Sequence, residues 1–187
     1  TENLKVFYDK FVDNEYCRKT YIGKDQSGQY SVYSYTFEPQ HYSKTLLLTS
    51  CIHGNEYSAF YANSRFLDLV VNKWHTDPHL AYIRKNVRIV CVPIVNPHGF
   101  ANDNRENVNN VDLNRNFDYN WKAGKGTDPT GKNFKGKAPF SEQESKNMKK
   151  LVEGLNHITA HVDCHNIVSQ VSDYCLFYPR FSNQDHN

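Results

Sequence analysis

This 187-residue chain is short of several features, and each shortage closes off a class of function. Charge of one sign is not in excess: 22 Lys and Arg stand against 20 Asp and Glu, a formal net charge of +2. Nucleic-acid binding calls for a clustered basic surplus, so no nucleic-acid partner is expected. No apolar run approaches the ~20 residues that a helix needs to span a bilayer, so no membrane span is expected. The cysteines number five, an odd count, and no CxxC pair occurs. That argues against a disulfide framework and against a thiolate zinc site. Cys51, Cys91 and Cys164 sit inside apolar runs and read as buried thiols acting as small hydrophobes. There is no internal repeat and no linker. No leader peptide is visible and the first residue is Thr1, so the chain reads as a processed or excised piece, or one whose leader was left out. With 39% apolar and 22% charged residues, the composition is that of a folded chain. The length suits one core, so residues 1–187 are expected to form a single domain.

The pattern of what remains is that of alternating strands and helices. Residues 4–14 carry Leu4, Phe7, Tyr8 and Phe11 at helical spacing. Residues 29–37 (QYSVYSYTF) read as a strand ended by Pro39. The runs 44–52 (KTLLLTSCI) and 87–97 (VRIVCVPIVNP) read as strands buried on both faces. Residues 57–74 form an amphipathic helix, and 77–86 a short one with Pro78 in its first turn. The stretch 101–138 has no periodicity and reads as a long functional or disordered loop. Residues 141–155 predict a helix with a capping box, Ser141 answered by Glu144. Residues 158–167 and 173–179 read as strands. The alternation favours an α/β sheet with helices on both faces.

The stretch LLLTSCIHGNEYSAF (46–60) places His53 and Glu56 just past a buried strand, where open α/β sheets keep their ligands. At i and i+3 across a turn the two side chains project to one side, and imidazole and carboxylate are both zinc ligands. On its own HxxE is equally a surface turn. In AHVDCHN the residues His161, Asp163 and His165 alternate, so on a strand all three face one way. His165 comes last, where the strand should end, and is the preferred third ligand. His161 lies deeper and reads as a packed neighbour. In NNVDLNRNF (109–117), Asp112, Asn114 and Arg115 lie outside any core periodicity. A carboxylate such as Asp112 commonly holds a metal-bound histidine by its second nitrogen. An arginine fork binds carboxylates at two points. Lys122, Lys125, Lys132, Lys135 and Lys137 surround a single Asp128 and either rim a cleft for acidic substrates or belong to a solvated loop.

Five stretches in order, HGNE (53–56), PIVNPHGF (93–100), VDLNRNF (111–117), PFSEQES (139–145) and DCHN (163–166), resemble the zinc metallocarboxypeptidase family, carboxypeptidase A-like, in its bacterial-type branch. The resemblance implies a three-layer α/β/α fold around a mixed, largely parallel sheet. It implies one zinc ion on His53, Glu56 and His165, with Asp112 behind His53. Asn114 and Arg115 match the pair that grips a substrate's terminal carboxylate. Arg105, in NDNRENVNN, looks like the arginine that holds the oxyanion, at a shortened spacing to DLNR. The implied activity is hydrolysis of a peptide bond next to a free carboxylate end, in a secreted or cell-surface setting. Four departures stand out. HGNE is also seen in bacterial relatives that cut glutamyl–diaminopimelate bonds in cell-wall peptides, and in the acylase branch. Asn55 replaces an arginine of the pancreatic-type enzymes, and His98 replaces an Asp. The chain also stops at Asn187, soon after CLFYPR, which resembles the strand beyond the third ligand. In the family, the part that follows supplies the general-base glutamate, a substrate-capping tyrosine and much of the specificity pocket. The expectation is therefore an incomplete catalytic domain. The sheet edge beside 158–165 would then be covered by downstream sequence or by a second copy, with self-association in isolation. An N-acyl amino acid deacylase and a non-catalytic metal- and peptide-binding module are the alternatives.

Overall fold

The two apolar runs lie at the centre of one sheet. In the computed structural model, which describes residues 2–166, β3 (Lys44–Ser50) and β4 (Val87–Val92) pair in parallel, with Leu46 opposite Ile89 and Leu48 opposite Cys91. On one side β4 pairs antiparallel with β2 (Ser31–Phe37), which pairs antiparallel with β1 (Cys17–Lys24). On the other side β3 pairs in parallel with β5 (Ile158–Cys164). The order is β1-β2-β4-β3-β5, so β1 and β5 are the outer strands among the described residues. The strand expected at 173–179 lies outside the described residues.

Two layers of helices cover the sheet. Phe60, Leu67, Val70 and Val71 of α2 (Tyr57–Asn72) pack with Tyr35, Phe37, Leu48, Ile89 and Cys91 in one buried cluster. Leu80 and Ile83 of α3 (Pro78–Asn86) pack against that cluster too, and the Asp77 side chain caps α3 by accepting from the backbone N–H groups of His79 and Leu80. Met148 of α5 (Gln143–Glu153) lies on the opposite face with Val32, Val92, Val95 and Val111. The fold is thus the α/β/α sandwich with a mixed sheet that the resemblance implied, although among the described residues two of the four strand pairings are antiparallel. Its antiparallel half depends on β1, which carries three charges in eight residues and was not legible as a strand. An edge strand with a solvated face needs little apolar patterning.

Three local expectations change. The helix over 4–14 is broken: α1 (Glu2–Phe7) ends before a 3-10 turn at Asp9–Phe11. The break falls where Asp9 accepts from the Lys19 ammonium and the Tyr35 hydroxyl, and where the Tyr8 hydroxyl donates to the carbonyl of Phe60. The capping box does not form. Ser141 donates to Glu142 instead, and the buried Glu144 carboxylate accepts from the Gln26 backbone N–H and the Asn107 amide, tying α5 to the β1–β2 connection. The loop 101–138, which follows the short α4 (Pro97–Ala101), is not a solvated excursion. Val111, Leu113 and Phe134 are core residues. Lys135 is buried, and its ammonium donates to the carbonyls of Trp121 and Gly124 at 2.9 and 2.6 Å, closing the loop on itself.

Candidate metal centre

The ends of two adjacent parallel strands deliver the cluster. The register pairs Ser50 with Cys164, so β3 and β5 end side by side. Past Ser50 the chain turns sharply, with Cys51 at φ 52°, a left-handed conformation that costs a non-glycine residue free energy and must be held by its surroundings. Here the carbonyls of Ser50 and Cys51 accept from the N–H groups of Val95 and Asn96. Gly54 then passes against the α4 backbone so closely that a Cβ would lie 2.1 Å from the carbonyl carbon of Gly99. Glu56 N–H donates to the carbonyl of His53, and α2 starts at the next residue. His165 follows β5 by one residue.

His53, Glu56 and His165 converge, each offering a ligand atom within 4.8 Å of the others. His53 Nδ1 lies 2.8 Å from Glu56 Oε1, and His165 Nδ1 lies 2.9 Å from Glu56 Oε2. The two Nδ1 atoms are 3.2 Å apart. Each ring's other nitrogen faces a carboxylate: His53 Nε2 lies 3.1 Å from Asp112 Oδ1, and His165 Nε2 lies 2.9 Å from Asp163 Oδ2. An ionised carboxylate only accepts, so every nitrogen of the two rings faces an acceptor; a metal taken up on the Nδ1 atoms would leave the single proton of each neutral ring on Nε2. Both Nδ1 lone pairs then point inward, toward each other and toward the Glu56 oxygens. Such a ring of acceptors closes only around positive charge, either extra protons or a cation. Two imidazole nitrogens and a carboxylate, with protein carboxylates behind the rings, suit zinc in a site with an open position.

The titration behaviour follows from that geometry. The hydrogen bonds to Asp163 and then Glu56 raise His165 to about 10, against burial. Burial lowers His53, but its hydrogen bonds to Asp112 and Glu56 outweigh this and raise it. Burial pushes Glu56 up, yet the hydrogen bonds from His165 and His53 prevail and hold it at about 2. Asp112 is likewise lowered despite burial, by His53 and Arg105.

Arg105 reaches the cluster. Its guanidinium donates to Asp112 Oδ2 at 3.0 Å and lies 3.5 Å from Glu56 Oε1. Its carbonyl accepts from Gly54 N–H and from the Asn96 side chain, which pins it to the ligand loop. Asn114 is exposed and joins through its backbone N–H, which donates to Asp112 Oδ1 at 3.0 Å. Arg115 is exposed as well, and among the described residues its guanidinium meets only the carbonyl of Asn114. A cleft of about 620 Å³ is lined by Asn114, Thr49, His161, Asp163, Ile52 and Phe117, among others. Sequence reasoning assigned no partner to His165. Asp163 fills that place, and its alternation with His165 was the available signal. Asn166, whose N–H donates to Glu56 Oε2, closed the DCHN stretch but was given no role.

Comparison with known proteins bears on the family and the fold. A family model described as zinc carboxypeptidase matches residues 18–184. Over 75 residues the chain is 33% identical to carboxypeptidase M of Mus musculus, covering 35% of this chain and 17% of that protein. Over 147 residues it is 25% identical to the inactive metallocarboxypeptidase ecm14 of Sclerotinia sclerotiorum, covering 68% of this chain and 25% of that one. The chain therefore spans a quarter or less of the length of these two relatives. The crystal structure of a carboxypeptidase A from Helicoverpa armigera superposes with a TM-score of 0.73 at 23% identity, over 88% of this chain and 44% of that one. The murein-tripeptide amidase MpaA of Escherichia coli O157 does so with a TM-score of 0.58 at 23% identity, over 80% and 62%. With one family model running from the first strand to well past His165, the chain belongs to the zinc carboxypeptidase family.

Proposed function

We propose that this chain forms the metal-binding and substrate-orienting part of a zinc-dependent peptidase that acts next to the free carboxylate end of a peptide. The observation that carries the reading is the convergence of three acceptors, His53, Glu56 and His165, with the outer nitrogen of each ring already committed to a carboxylate. These three residues would hold one zinc ion. Bound there, zinc would bring the pKa of a water toward neutrality and polarise a carbonyl. Asp112 keeps the Nε2 proton of His53 in place and anchors Arg105. The Arg105 guanidinium is 37% exposed, so it can offer its charge to a carbonyl oxygen that turns negative. Asn114 and Arg115 present an amide and a planar fork for the terminal carboxylate, which would set the scissile bond one residue in. Cell-wall peptides are one substrate class that meets this description.

A second reading, a non-catalytic metal- and peptide-binding module, has its own support. Among the described residues each carboxylate at the site is engaged: Glu56 by the two histidines, Asp112 by His53 and Arg105, and Asp163 by His165 and Thr49. None is left to take a proton from a water. The deciding experiment loads the protein with Zn2+ and offers a free-acid peptide, its C-amidated form, a murein tripeptide and an N-acyl amino acid. Cleavage of the free-acid peptides alone supports the peptidase. Binding of them without cleavage supports the module, and preference for the N-acyl amino acid would make it a deacylase. Failure to bind one zinc would overturn all three.

A further inference from the structure

We propose that Thr49 and Asp163 are positioning residues: together with His161 they form a directional hydrogen-bond chain that fixes which nitrogen of His165 faces the metal centre. The proposal rests on reading His53, Glu56 and His165 as that centre.

The register creates the chain. Thr49 and Asp163 are direct partners across the β3–β5 pairing, and His161 lies two residues back on β5, on the same face. Thr49 Oγ1 lies 2.7 Å from Asp163 Oδ1 and 2.9 Å from His161 Nε2. Asp163 Oδ2 lies 2.9 Å from His165 Nε2. Thr49 is buried, so its hydroxyl has little water to turn to.

The proton count then allows only one direction. The Thr49 hydroxyl owns a single hydrogen, and two neighbours compete for it. Asp163, as a carboxylate with one oxygen on Thr49 and the other on His165, is an acceptor only. Thr49 must therefore donate to Asp163 and accept from His161. That requires the Nε2–H form of His161. At the far end, Asp163 Oδ2 accepts from His165 Nε2–H and leaves the Nδ1 lone pair of His165 pointing at Glu56 and His53. His161, read from sequence as a mere packed neighbour, is the first donor of this series.

An amide in place of the carboxylate tests the direction with almost no change of shape. In Asp163→Asn the side-chain oxygen would still accept from His165, but the amino group would donate to Thr49. Thr49 would have to turn its hydrogen to His161, and His161 would have to switch to its Nδ1–H form. Long-range ¹⁵N–¹H correlation reads these tautomers directly in chelator-treated protein at a pH where His161 is neutral. The expected result is Nε2–H for His161 in the parent and Nδ1–H in Asp163→Asn. Zinc affinity, measured by chelator competition with Zn2+ alone, should fall about 10–100-fold in Asp163→Asn. In Thr49→Val it should fall about tenfold, at the low end of that range, and Thr49→Ser should restore it. His165→Ala separates the two readings. If the parent takes up no zinc, or His165→Ala binds it unchanged, the metal centre and this proposal both fall. If His165→Ala loses zinc but His161 is Nδ1–H in the parent, the directional chain is overturned while the metal centre stands. The chain is overturned in the same way if Asp163→Asn and Thr49→Val both bind zinc like the parent. Should Thr49→Val fail to fold, the tautomer of the parent still decides.

Discussion

Loading zinc should expel protons into the buffer, and the structure says roughly how many. Near neutral pH His165, raised to about 10, carries an extra proton, and His53, also raised, carries part or all of another. Glu56, held at about 2, carries none. The Nδ1 atoms can bind a metal only once those protons have gone. Each proton displaced makes affinity rise about tenfold per pH unit. His165 alone therefore predicts a gain of about 100-fold from about pH 6 to about pH 8, and His53 steepens the acid end. Competition against a chelator of known proton affinity measures the slope. Calorimetry in two buffers of different ionisation enthalpy counts the protons, with between one and two expected near neutrality. Stability in chelator should move the other way. The folded-state value of His165 is raised, so its contribution is complete below the ordinary 6.5 and is lost as pH climbs through about 10. The melting temperature without zinc should fall across that window, and the gap to the zinc-loaded protein should widen. A flat affinity profile with no proton release would refute the picture of inward-facing, acceptor-only nitrogens.

Other residues give sharp tests too. Gly54→Ala puts a methyl group 2.1 Å from the Gly99 backbone, so it should cost about 1–3 kcal/mol in urea unfolding and weaken zinc binding as the ligand loop shifts. An unchanged midpoint would mean that the two loops do not pack as described. Asn107→Ala should cost about 1–3 kcal/mol in the same assay, because it removes a donor shared by the buried Glu142 and Glu144 carboxylates. Arg115→Ala, assayed in a form of the protein that turns over, should raise KM for peptides with a free C-terminus and leave amidated ones little changed. Equal effects on both would argue against the carboxylate clamp.

The parts of the fold legible in the sequence were those with a signature of their own. β3 and β4 are covered on both faces, so their apolar runs had no other reading. α2 and α3 announced themselves by a one-sided apolar stripe and by Pro78 behind the Asp77 cap. Elements that depend on distant partners were illegible. The break after α1 is set by Lys19 and Tyr35, and the fate of Glu144 by Gln26 and Asn107, far away along the chain. The site divides in the same way. His53 and Glu56 were visible because one turn brings them together, and His165 because a strand ends there. Thr49 was not, since a threonine in a buried strand reads as packing until its cross-strand partner is known. Lys135 was misplaced for a related reason: the carbonyls that bury its ammonium belong to a turn with no periodic signature.

The separation of Glu56 and His165 has a mechanical consequence. They stand 109 positions apart, and the chain between them contains α2, α3, β4, α4, α5 and β5. An ion gripping both would act as a reversible rivet on a loop of that size. In the chain-entropy account, a cross-link closing ~100 residues raises the free energy of the disordered state by about 4–5 kcal/mol. The rivet sits at the end of β5, so peeling that strand, outermost among the described residues, from β3 would have to pull it out first. Loss of the ion and fraying of β5 would then be a single event, and a protease attacking the 158–164 segment would report on metal occupancy as directly as any chelator.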